Sequence, residues 1–183
     1  MPIIRRCASA AAMSLAMLES AYGVQYHSQE QVQQLLFPAA SSFRDVSFLL
    51  TREQRGAIET AAGISVERPR VHVLEARTAD RLLGYLLFDE VSGKNDVINY
   101  ALALTAQGSV AAIEIMAYRE TYGEQIRTEH WRRQFVGKSS LDPVRLDTDI
   151  RNISGATLSC KHVTDGVRRL LAVFDTAIRK RSS

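Results

Sequence analysis

The feature that most constrains this chain is a block of alternating apolar residues between positions 70 and 118. Four strand-length runs, at 70–77, 81–91, 97–105 and 109–118, are separated only by the short joints 78–80, 92–96 and 106–108. Joints of this length close antiparallel hairpins, because a parallel crossover needs about a dozen residues or more. In the third run Ile98, Tyr100, Leu102 and Leu104 share one face, as a half-buried strand requires. The middle of the chain therefore reads as an antiparallel meander.

Both flanks carry helical patterns. Ser28 with Gln31, and Thr51 with Gln54, are capping-box pairs ahead of apolar positions at helical spacing. The first helix carries Val32, Leu35 and Leu36 and stops at Pro38; the second carries Ala57, Ile58, Ala61 and Ala62 and ends at Gly63, where a left-handed residue belongs. Residues 45–50 between them read as a strand. After the meander, residues 127–135 read as a helix ending before Gly137, and an irregular stretch then leads to a final helix. Val163, Val167, Leu170, Leu171, Phe174 and Ile178 form its core-facing stripe, with Lys161, Asp165, Arg168, Arg169 and Asp175 assigned to water. The fold class is α+β, an antiparallel sheet meander flanked by helices.

With 183 residues, 46% of them hydrophobic and 23% charged, the chain can bury one core and is neither disordered nor collagenous in composition. The net charge of +3 is dispersed except at residues 178–183, which argues against nucleic acid. Cys7 and Cys160 form no zinc spacing, and His27, His72, His130 and His162 share no helix face. No metal site and no catalytic residue are assigned. Arg5 and Arg6 followed by the small, apolar segment 7–18, with Ala21 and Gly23 at cleavage spacing, predict a signal peptide over residues 1–23. Export to the periplasm follows, with residues 24–183 as a single domain and no membrane span after cleavage.

Chemistry concentrates in residues 153–159, immediately before the final helix. Ser154, Gly155 and Ala156 are small enough to let backbone N–H groups approach an anion, and the helix N-terminus adds about half a positive charge. Thr157 puts a hydroxyl at the same place. Two readings are open from these residues alone: a phosphate seat, or a helix merely capped by Ser154, Thr157 or Ser159.

Residues 118–138 bear on that choice. Glu120, Thr121 and Gly123 follow a strand; Trp131, Gln134, Phe135, Gly137 and Lys138 come next, and the Ser154–Gly155–Ala156–Thr157 segment lies downstream. In that order and spacing they resemble the FMN-binding domain family, including the flavinylated peripheral subunits of sodium-pumping quinone reductase and Rnf complexes. The resemblance covers roughly residues 70–178. It implies FMN attached through a phosphoester to Thr157, with Ser154, Gly155, Ala156 and Leu158 around the phosphate and Glu120, Thr121 and Tyr122 beside the isoalloxazine. Tyr122 stands where the family has proline, and Arg151 stands where the flavin transferase that loads such domains reads an acidic residue. Lys138 answers the phosphate charge or is an exposed helix-end lysine; Tyr122 and Trp131 stack on the ring or belong to the core.

The expected function is a periplasmic electron-transfer flavoprotein, loaded by a flavin transferase and working with a redox partner protein, soluble or membrane-bound. The alternative from another class is a flavin-free binding module of the same fold. A small-substrate flavoenzyme ranks third.

Overall fold

The computed structural model describes residues 24–120 and 122–181. The expected signal peptide, with Cys7, lies outside the described residues, as does Thr121.

The meander is present as read. Strands β4 (Arg70–Arg77), β5 (Leu82–Ser92), β6 (Val97–Thr105) and β7 (Val110–Tyr118) pair in sequence order, all antiparallel. Three short strands extend it: β1 (Val24–Gln25) on β7, and β2 (Ser42–Asp45) followed by β3 (Phe48–Leu49) along the outer edge of β4. The sheet order is β1-β7-β6-β5-β4-β2, with β3 also paired to β4, on the edge that β2 occupies. The architecture is α+β.

The single strand expected at 45–50 is corrected to two pieces. Asp45 accepts the Ser47 N–H at 2.8 Å, folding the backbone locally, and the Ser47 hydroxyl takes the Val73 N–H at 3.1 Å in place of a strand bond. A side chain that bonds its own backbone competes with the ladder.

Helices cover the two faces unequally. Helix α1 (Gln29–Leu36) lies on one face, where Val32 and Phe37 pack with Leu74, Ala76, Leu86, Ala101, Ala103 and Met116. Helices α2 (Arg52–Ala62) and α4 (Thr157–Val173) lie on the other, over the larger core that contains Tyr85, Leu87, Ile98, Tyr100, Leu102 and Ile115. Both capping boxes form, at Ser28 and Thr51, and Gly63 closes α2 with φ 65°. Burying a Leu- or Ile-sized side chain is worth about 1.5–3 kcal/mol, so the larger face dominates the stability.

Two helical expectations need correction. The segment 127–135 is not one helix: a 3-10 turn (Glu124–Arg127), a single α-turn α3 (Glu129–Arg132) and a further 3-10 turn (Arg133–Phe135) follow one another. Thr128 interrupts it with φ −63°, ψ 139°, its N–H and hydroxyl both bonded back to Gln125 O. In α4 the predicted apolar stripe is buried throughout. Arg168 and Arg169, however, do not face water. Arg168 donates to Ala62 O and Val144 O, and Arg169 reaches Asp89 on β5 at 2.6 Å. Neighbouring elements cover both flanks of the helix, and the two long side chains satisfy carbonyls and a carboxylate there. The chain beyond α4 widens into one π-turn, Phe174–Ile178. No helix among the described residues is long and apolar enough to cross a membrane.

Candidate functional site

Two turns distant in sequence meet at the end of β7. The first follows Tyr118, whose hydroxyl donates to Tyr122 O at 2.5 Å and lies 3.1 Å from Ser159 Oγ on α4. A phenol has one proton and a carbonyl can only accept, so Ser159 is the donor in the second bond. Tyr118 and Ser159 are 3% and 4% exposed. Burial pushes the Tyr118 phenol up, outweighing the Ser159 bond, and keeps it protonated.

Gly123 carries this turn at φ 94°, where a Cβ would stand 2.5 Å from the Tyr118 hydroxyl and 2.7 Å from Ala156 Cβ. Only glycine permits both the left-handed backbone and that approach. The turn after β7 is therefore in direct contact with the turn before α4, and the structure brings Tyr122 and Gly123 to residues 154–157.

The second turn is open. Gly155 has φ 82° and nothing within 4 Å of a Cβ position, and Ser154, Gly155 and Thr157 are exposed while Ala156 is buried. Ala156 stands at the N-cap of α4 and no side-chain hydrogen bond caps the helix. The capping alternative does not hold: Thr157 Oγ1 takes a bond from Asn152 Nδ2 at 3.1 Å, and Ser159 serves Tyr118. The first-turn N–H groups and the positive end of the helix dipole face outward, a donor set suited to a phosphate. Beside it stand two exposed apolar side chains, Tyr122 at 78% and Leu158 at 46%. They are the surface a flat aromatic ring can cover.

Glu120 does not reach the open turn. Its carboxylate accepts the N–H groups of Asn95 (2.7 Å) and Asp96 (3.0 Å) and the Asn95 amide (3.0 Å), closing the β5–β6 loop. Desolvation pushes this carboxyl up, but these donors, with the Lys94 N–H, together hold it below its ordinary value. Lys138 pairs with Asp149 at 2.8 Å. Asp149 also accepts the N–H groups of Val144 and Arg145, next to two residues at positive φ, Val144 (43°) and Asp147 (60°). A β-branched residue at positive φ is strained, and the Lys138–Asp149 pair holds that strained loop on its way to Thr157.

Trp131 is a core aromatic, edge-on to Phe135 at 5.1 Å, and its indole N–H donates to Arg151 O. Gln134 accepts the Arg151 N–H. Together they fix the backbone three residues before Ser154. Cys160 is buried, and burial pushes its thiol up despite its place in the first turn. His162 binds Ser92 O, His72 stacks on Phe88, His27 lies 3.9 Å from Glu114, and no group of three or more metal-ligating side chains occurs among the described residues.

Sequence reasoning missed Tyr118 and Asn152 as site residues. The one available signal for Tyr118 is a tyrosine closing a strand just before the Glu120–Thr121 pair. Also missed is a buried polar cluster in which Asp89 accepts from both Tyr100 (2.6 Å) and Arg169 (2.6 Å). Burial and the Asp89 charge push the Tyr100 phenol well up; burial alone would lower Arg169, but Asp89 holds it above its ordinary value. A cavity of about 590 Å³ opens beside this cluster, between β5, the α2–β4 connection and α4. Its charges neutralise one another, Asp89 with Arg169 and Glu90 with Arg68, so no set of donors converges there as it does at Gly155.

Residues 93–172 match the model of the FMN-binding domain family, and no curated protein matches the chain. The matched segment runs from the β5–β6 loop through both glycine turns into α4. It therefore contains the outward N–H groups and the apolar pair beside them. Residues 93–172 are thus similar to the FMN-binding domain family, and the cofactor this match indicates is FMN.

Proposed function

We propose that this chain is an exported electron-transfer flavoprotein whose FMN phosphate sits at the N-terminal end of α4, joined as a phosphoester to Thr157. The observation that carries the reading is the uncapped first turn of α4 beside the exposed Thr157 hydroxyl. Backbone N–H groups and the helix dipole hold the phosphate; no general base is needed for that. Tyr122 and Leu158 cover one side of the isoalloxazine, where aromatic contact is worth about 0.5–1.5 kcal/mol beyond area burial. Bound FMN supplies the redox chemistry, taking up and giving out electrons one or two at a time. The chain contributes seat, orientation and surroundings, and leaves the ring edge accessible to a redox partner protein.

Co-expression with a flavin transferase tests the reading. Peptide mass spectrometry is expected to find FMN on the peptide containing Thr157, and Thr157→Ala to abolish covalent flavin while leaving dialysable FMN. Flavin on Ser154 instead overturns the residue assignment. Flavin on no peptide overturns the covalent bond, and Arg151 at the position the transferase reads is then the residue to exchange for Asp. The same peptide maps read the mature N-terminus: peptides containing Arg5 and Arg6 in the periplasmic protein overturn export with cleavage.

A further inference from the structure

We propose that Tyr118 is a positioning residue for FMN: by holding the Tyr122 carbonyl inward, its hydroxyl turns the Gly123 N–H outward as a hydrogen-bond donor to the isoalloxazine. The inference rests on the FMN seat proposed above. A peptide is planar, and in its trans form the C=O and the following N–H point in opposite directions. The Tyr122 carbonyl is aimed at a hydroxyl that is 3% exposed, at 2.5 Å. The Gly123 N–H of the same peptide therefore points the opposite way, away from the Tyr118 hydroxyl.

The arrangement leaves little freedom. Ser159 donates to Tyr118, so the phenol proton has one destination, the Tyr122 carbonyl. The turn cannot slide, because Gly123 lies against Ala156 in the seat itself. One buried hydroxyl thus ties the orientation of a peptide in the first turn to the position of the first turn of α4. The pyrimidine edge of an isoalloxazine offers carbonyl oxygens and ring nitrogens that accept hydrogen bonds. A backbone donor there favours electron density on the ring and raises its potential.

Tyr118→Phe keeps the ring and removes the hydroxyl. In protein reconstituted with FMN, the midpoint potential is expected to fall and the Kd for FMN to rise about tenfold, the effect of one ordinary hydrogen bond. A folded Phe variant with wild-type potential and Kd overturns the proposal. Where that variant does not fold, amide NMR of the wild-type protein decides: on adding FMN, the Gly123 amide should shift and become protected from exchange. Shifts at Gly155 and Thr157 without any at Gly123 leave the FMN seat standing and overturn the role of Tyr118. Shifts at none of the three overturn the seat itself.

Discussion

Gly123 and Gly155 are both left-handed, at φ 94° and 82°, yet they do opposite things. A side chain at Gly123 would collide with Tyr118 and Ala156, whereas one at Gly155 would meet nothing. The first glycine is required by the protein's own packing and the second only by its backbone conformation. A turn closed on its own core beside a turn open to solvent is how one site combines fixed geometry with access: the closed turn sets where the open one lies.

Substitutions at the two positions should separate these roles. Gly123→Ala adds backbone strain to overlap, and its expected cost is about 3 kcal/mol. Urea melts of the flavin-free protein measure it, and a loss no larger than that of Gly155→Ala would break the comparison. For Gly155→Ala the expected loss is about 1 kcal/mol, from the left-handed backbone alone. Weaker FMN binding should accompany it, because the methyl group sits on the open face; unchanged FMN titration would mean the phosphate lies elsewhere.

The smallest effect concerns Glu120, which ties the closed turn to the β5–β6 loop. Its carboxyl is depressed in the folded protein, so its contribution is fully present above the unfolded value of about 4.3 and is lost as pH falls through the lower folded value. Glu120→Gln should therefore melt below wild type at pH 7, with the gap closing in acid. A gap that stays constant down to pH 3 would show that the carboxylate charge plays no part.

What the sequence revealed depended on how far apart the partners lie. The capping boxes of α1 and α2 join residues three apart, and the β4–β7 meander joins strands through short turns, so both were legible as local patterns. The break at Thr128 and the kink at Ser47 are just as local, but they come from side chains bonding neighbouring backbone, which periodicity does not register. Arg169 was assigned to water because a helical wheel knows nothing of Asp89, 80 residues away. At the site, the Ser154–Thr157 segment was legible from residue type. Tyr118 was not, since one partner is a backbone carbonyl and the other, Ser159, is 41 residues on.

The sheet edges carry a consequence for how the protein behaves in concentrated solution. On the β7 side β1 pairs only with Ala117 and Tyr118, but Val110 bonds to Gly137 and Lys138, Arg132 takes Ile113 O, and Tyr26 and His27 take Met116 O. On the β4 side the partner is broken between Asp45 and Phe48. A long, flat, unpaired strand is what recruits a second chain into a growing aggregate. The apolar meander at the centre of this molecule is thus kept from templating its own polymerisation by bonds from loops and one arginine on one side, and by a kink on the other.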